Sequence, residues 1–164
     1  MLRFFVFGAL MLAPLICAGA PTASERREFL EAIRPEAERH ARQKVLFKVK
    51  HLNFDGGWAV LVGSVVEQAG RSINWERTRD CDPNLDKMLW VVAKRSGHSW
   101  RVLDMTICAT EPPYWYIYDH IGLRWPCGVY AGLEVDGSGI DLRQRCLRDR
   151  RPRFLNGRPR PRIE

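Results

Sequence analysis

Two stretches of this chain alternate with a period of two around glycine turns, and that pattern restricts the fold more than any other feature. The first, VLFKVKHLNFDGGWAVLVGSVV, spans residues 45 to 66 and sets Val45, Phe47, Val49 and His51 on one side of a strand ending at Asp55-Gly56-Gly57. The second, DKMLWVVAKRSGHSWRVLDMTIC, places strands at about 86 to 95 and 98 to 108 around Ser96-Gly97. Each reads as a β-hairpin. In the second, Met88, Trp90, Val92, Leu103, Met105 and Ile107 fall on one face and Leu89, Val91, Trp100 and Val102 on the other. Strands with so few polar positions need cover on both faces.

One cover lies upstream. Thr22 and Glu25 have the spacing of a capping box, and Phe29, Leu30, Ile33, Ala37 and Ala41 recur at helical spacing, which predicts a helix from about Glu25 to Arg42. Pro35 predicts either a kink or a second helix starting there. The other cover, or the wall of a pocket, is the aromatic run Tyr114, Trp115, Tyr116 and Tyr118, with a short helix opened by Pro113 and closed near Gly122. Between the hairpins the chain reads as loop with one short strand around Ile73 to Arg77. The expected fold class is α+β: an N-terminal helix on an antiparallel sheet of two hairpins, followed by a disulfide-linked irregular C-terminal segment.

This order, with NFDGGWAVLVGSV and RSGHSWRVLDMTI at the turns, resembles small exported bacterial proteins with a nuclear-transport-factor-2-like (cystatin-like) α+β roll, over roughly residues 25 to 108. The resemblance implies a concave pocket. It implies no activity, because the fold hosts enzymes and binding modules alike.

Compartment is read from the N-terminus. MLRFFVFGALMLAPLICAGA has Arg3, an apolar run from Phe4 to Ile16, and small residues Ala18, Gly19 and Ala20, the layout of a secretory signal peptide over residues 1–20. The run is short for a bilayer span, and no later stretch reaches about 20 apolar residues, so no transmembrane segment is expected after signal removal. Ile16 before Cys17 argues against a lipoprotein signal. A single domain over 21–147 and a periplasmic or secreted location follow.

Four cysteines then remain, an even number in an exported chain, which predicts two disulfides. If the second hairpin turns at Ser96-Gly97, Cys108 lies opposite Leu85, and the Asp82-Pro83-Asn84 turn brings Cys81 back to it. The expected pairs are Cys81 with Cys108 and Cys127 with Cys146. The chain lacks a CxxC pair and an HxH, so neither zinc nor any other cofactor is expected. EVDGSGID, residues 134 to 141, resembles a calcium loop at first, but Arg145 stands where the bidentate glutamate belongs, and it reads as a Gly-rich turn between short strands.

The net charge is +7, and it is localised. Residues 143 to 164 hold nine arginines against Asp149 and Glu164, hence +7, whereas residues 21 to 142 hold 16 basic against 17 acidic residues, hence −1. From Arg148 the chain, with Pro152, Pro159 and Pro161, is expected to be an extended or disordered tail over 148–164. Its candidate anion-binding residues are Arg148, Arg150, Arg151, Arg153, Arg158, Arg160 and Arg162. The expected partner is an anionic envelope surface or an acidic protein, and not nucleic acid, which an exported protein rarely meets.

For acid–base chemistry the candidates are His51, beside Val49 and pairing near Val60, and Asp104, opposite Leu89, because each interrupts an apolar strand face. A pocket enzyme using either as general base, with Trp100, Tyr114, Trp115 and Tyr118 shaping the cavity, is the alternative to a non-catalytic binding or accessory module. No nucleophile elbow or phosphate loop appears, so the reading leans away from an enzyme. Cleavage in the small-residue stretch is expected to start the mature chain between Gly19 and Pro21. N-terminal sequencing of cell-derived protein checks this, and an intact Met1 chain in the cytosol would contradict it.

Overall fold

The computed structural model describes residues 21–78, 81–115, 117, 122–135 and 137–150, together with the backbone of Phe154–Leu155 and Arg158–Pro159. The signal-like segment lies outside these residues. Helix α1 (Ala23–Ala41) begins at the expected capping box, in which the Thr22 hydroxyl accepts from the Glu25 N–H and the Glu25 carboxylate accepts from the Thr22 N–H. Neither a break nor a second helix occurs at Pro35, which sits inside α1 on its exposed side. There the carbonyl that loses its helical partner can be met by water. Phe29, Ile33, Ala37 and Ala41, four residues apart, are fully buried.

The sheet is a meander of four antiparallel strands in the order β1 (Leu46–Asp55), β2 (Trp58–Val66), β3 (Met88–Ser96), β4 (Ser99–Ala109). Asp55 pairs with Trp58 across Gly56 and Gly57, which both have positive φ, as a tight two-residue hairpin turn requires. The central strands are buried on both sides. Ala59, Leu61, Leu89, Val91 and Ala93 pack under α1 with Phe29 and Ile33, whereas Val60, Val62, Trp90 and Val92 pack beneath the C-terminal segment with Val129, Tyr130, Leu133 and Leu142.

The expected strand phases are corrected at three places, each a bulge or register shift. Between Val49 and His51 the β1–β2 register slips, so Val49 stays under α1 but His51, Asn53 and Asp55 turn to the opposite face. His51 therefore pairs with Val62 rather than near Val60. In the second hairpin the turn residues are Gly97 and His98, with Ser96 opposite Ser99, and a shift at Val92/Ala93 leaves Leu103 as the extra residue. Met105 and Ile107 thereby join Trp100 and Val102 under α1, Leu103 is exposed, and Asp104 lies opposite Val92 rather than Leu89. A third shift between Met88 and Trp90 brings Ala109 opposite Met88. Extra residues of this kind bend and twist a strand.

The linker between the hairpins contains a 3-10 turn at Trp75–Arg77 where a short strand is expected, with the Trp75 indole N–H donating to the Ser72 hydroxyl. Cys81 bonds Cys108 and Cys127 bonds Cys146, as expected, with Cα atoms 5.9 Å and 5.5 Å apart. The C-terminal segment is more regular than expected. A 3-10 turn at Cys127–Tyr130 leads to a small hairpin of β5 (Glu134–Val135) and β6 (Ile140–Asp141), and then to helix α2 (Leu142–Asp149). Asp141 caps α2 by accepting from the Gln144 N–H. Beyond it, where extended or disordered chain is expected, β7 (Phe154–Leu155) pairs antiparallel with β8 (Arg158–Pro159).

Phe29 meets Phe54 and Trp100 edge-on, with ring centroids 5.4 and 5.2 Å away. Phe29→Ala removes the centre of that layer and is expected to cost about 3–5 kcal/mol in urea denaturation. A loss below about 1 kcal/mol would show that α1 is not seated as described.

Candidate binding surface

The polar residues of β1 dock the C-terminal segment. The Asn53 side-chain amide donates to the carbonyls of Val129 (3.1 Å) and Ala131 (2.8 Å), and the Gly128 N–H donates to Asp55 Oδ2 (2.7 Å). A β-carbon on Gly128 would stand 2.7 Å from that carboxylate oxygen, so this approach requires glycine. A hydrogen bond to a charged carboxylate is worth about 1.5–3 kcal/mol, more than a neutral one. His51 completes the row. Its Nδ1 would lie 3.4 Å from a β-carbon on Gly132, so the ring borders the same segment. Burial, and then the neighbouring Lys50 charge, hold its pKa below the usual 6.5.

Above the middle of the sheet lies an aromatic layer. Trp125 stacks on Tyr130 (5.9 Å, 15°) and on Trp58 (6.3 Å, 29°), and lies 6.2 Å from Trp90, which meets Tyr114 at 5.9 Å. The buried Trp90 indole donates to Asp104 Oδ2 at 3.1 Å, and Lys94 lies 5.1 Å over the Trp58 ring. Tyr130 accepts from the Trp125 N–H (3.3 Å), and burial raises its pKa despite that bond and the nearby Arg150 charge.

These positions separate the residues expected to share a pocket. Trp100 packs under α1, its indole N–H buried without a hydrogen-bond partner among the described residues, whereas Tyr114 and Trp115 pack on the other side of the sheet. Tyr118 lies outside the described residues. His51 and Asp104 occupy the two outer strands, three strand spacings or about 14 Å apart. Sequence reasoning did not assign Asn53, Asp55, Trp58, Trp125 and Tyr130. The alternation of Asn53 and Asp55 with Leu52 and Phe54 is the signal that could have found the first two.

The same docking fixes α2. Leu142 and Cys146, one turn apart, are buried, and the disulfide ties Cys146 to Cys127 beside the Asp55 contact. At the end of the helix, Arg150 Nη2 donates to the carbonyls of Leu123 (2.9 Å), Arg124 (3.0 Å) and Trp125 (2.7 Å). Helix α2 thus includes Arg148, and Arg150 clasps the domain; both belong to the folded unit and not to a loose tail. Arg124, Arg143, Arg148 and Arg150 are exposed. Arg151, Arg153, Arg160 and Arg162 lie outside the described residues, as does the side chain of Arg158.

Among the described residues no group of three or more His, Cys, Asp or Glu side chains could hold a metal ion, and no helix is long and apolar enough to cross a membrane. The chain matches no protein-family profile, and neither a curated protein nor a solved structure matches it.

Because the His51 pKa is lowered on folding, the unfolded chain binds the proton more readily. Its contribution is therefore present above the usual value of 6.5 and is lost as pH falls through the folded value. Unfolding free energy is expected to decline from about pH 7 to 5, and His51→Gln to flatten that decline. An unchanged profile in His51→Gln would show that the ring is solvated rather than packed on the segment.

Proposed function

We propose that this is an exported, non-catalytic binding or accessory module that engages an anionic partner through its arginine-rich C-terminal stretch. One observation carries the reading: α2, tied by Cys127–Cys146 to the turn that Asn53 and Asp55 dock on the sheet, presents Arg143 and Arg148 to solvent at the head of the stretch that holds the whole charge excess. Attraction to an anionic surface then has a fixed starting point, and the arginines beyond Arg150 extend its reach. The two disulfides support an oxidising, extracellular or periplasmic setting.

An enzyme using His51 or Asp104 as general base has less behind it. The two groups are on opposite outer strands, and the Asp104 carboxylate already holds the Trp90 indole. The space between helix and sheet, where Trp100 packs, is occupied by Phe29, Ile33, Ala37, Leu61 and Val91. The roll-like kinship itself remains part of this proposal, supported by one helix laid on an antiparallel meander.

Retention on immobilised heparin tests the reading. The oxidised mature chain is expected to bind at low salt and to elute steeply as the Debye length shrinks from about 8 Å at physiological ionic strength to about 3 Å at 1 M. A chain ending after Arg150 keeps the Arg150 clasp, so it is expected to retain its melting temperature yet elute at much lower salt, having lost five of the nine arginines. Equal elution of the two chains would contradict the role of the arginines beyond Arg150, and absence of retention by the full chain would overturn the proposal.

A further inference from the structure

The outer face of α2 is not purely cationic. Leu147 is 48% exposed, and Ile140, two residues before the helix, is 38% exposed. Helical geometry sets Leu147 one turn beyond Arg143 on the same face, and Gln144 and Arg148 form the neighbouring row. An isolated exposed leucine needs no explanation. Here, however, Ile140 in β6 and Leu147 in α2 flank one disulfide-anchored stretch, and the exposed charges of residues 140 to 150 are arginines, with Asp149 the exception; Glu134 is also exposed, on β5 opposite Asp141. A soluble polyanion or an acidic peptide would use the guanidinium groups alone. A lipid surface uses both, because its phosphates pair with arginine while the acyl boundary just beneath takes up an aliphatic side chain.

We infer that the outer face of α2, with Arg143, Arg148 and Leu147 at its centre and Ile140 and Arg124 at its margin, docks flat on an anionic phospholipid surface. This inference rests on the polyanion-binding reading above and adds the identity of the partner. The net charge is one-sided: residues 21 to 142 carry −1 and residues 143 to 164 carry +7, so net attraction to a negative membrane comes from the stretch that α2 begins. The disulfide and the Arg150 clasp hold the face in place, so docking does not require α2 to fold at the surface.

The test uses the oxidised mature chain pelleted with vesicles of phosphatidylcholine alone or mixed with phosphatidylglycerol, beside heparin elution of the same proteins. Wild type is expected to pellet with the anionic vesicles only. Leu147→Ser, at an exposed position, is expected to keep its circular dichroism and heparin elution while its partition to anionic vesicles falls about tenfold. Leu147→Phe is expected to equal or exceed wild type. Neutralising Arg143→Gln is expected to weaken both readouts, the vesicle partition by about fivefold. If Leu147→Ser leaves vesicle partition unchanged, or if wild type binds heparin but no vesicle, the lipid inference is overturned while the polyanion reading stands. If wild type binds neither, both fail.

Discussion

Burial of β2 and β3 on both faces is the constraint from which the rest of the molecule follows. Leu61, Leu89 and Val91 on one side, and Val60, Trp90 and Val92 on the other, are almost completely removed from solvent. An antiparallel meander with one wet face has no use for such residues, so a second layer must exist on each side. Helix α1 supplies one in a single regular element. The other is assembled from the helical residues Tyr114 and Ile117, the Cys127–Tyr130 turn, the β5–β6 hairpin and α2, each too short to bury an apolar face alone. That explains why this side needs a disulfide, the Asn53 and Asp55 hydrogen bonds and the Arg150 clasp, whereas α1 rests chiefly on its apolar stripe, with the Arg34–Val45 hydrogen bond and the Glu28–Arg95 ion pair beside it.

The period-two pattern and the capping box made the helix, both hairpins and the α+β class legible, and the cysteine arithmetic gave both bridges. Strand phase was not legible beyond the first irregularity. A single extra residue inverts every later side chain, and nothing in the letters around Lys50 or Leu103 marks a bulge. His51 consequently read as an anomaly on an apolar face, although it begins a polar row with Asn53 and Asp55. Asp104 read as opposite Leu89, although it faces the Trp90 indole. The cysteine pairing survived because Cys81 lies on a loop able to follow Cys108 through a shift of a few residues.

The short helix α2 was hidden for a different reason. It has two inward apolar positions, Leu142 and Cys146, in eight residues, and its abundance of arginine made it look like the start of a solvated tail. Its helical state comes from the Asp141 cap and from tertiary anchoring, as expected for a helix too short to be stable alone. The functional reading depends on this distinction. A tail attracts any polyanion without geometry, whereas a cross-linked helix presents arginine and leucine in a fixed arrangement.

Amide hydrogen exchange at Gly128 reads whether the C-terminal segment is clamped to the sheet as part of one cooperative core. Its N–H points at the Asp55 carboxylate in the middle of the docking contact. A clamped segment exchanges there as slowly as the β2–β3 amides, through global unfolding alone. Exchange at the rate of a loop amide, with β2 and β3 still protected, would mean that the segment lifts off by itself and that α2 has no fixed place from which to present its arginines.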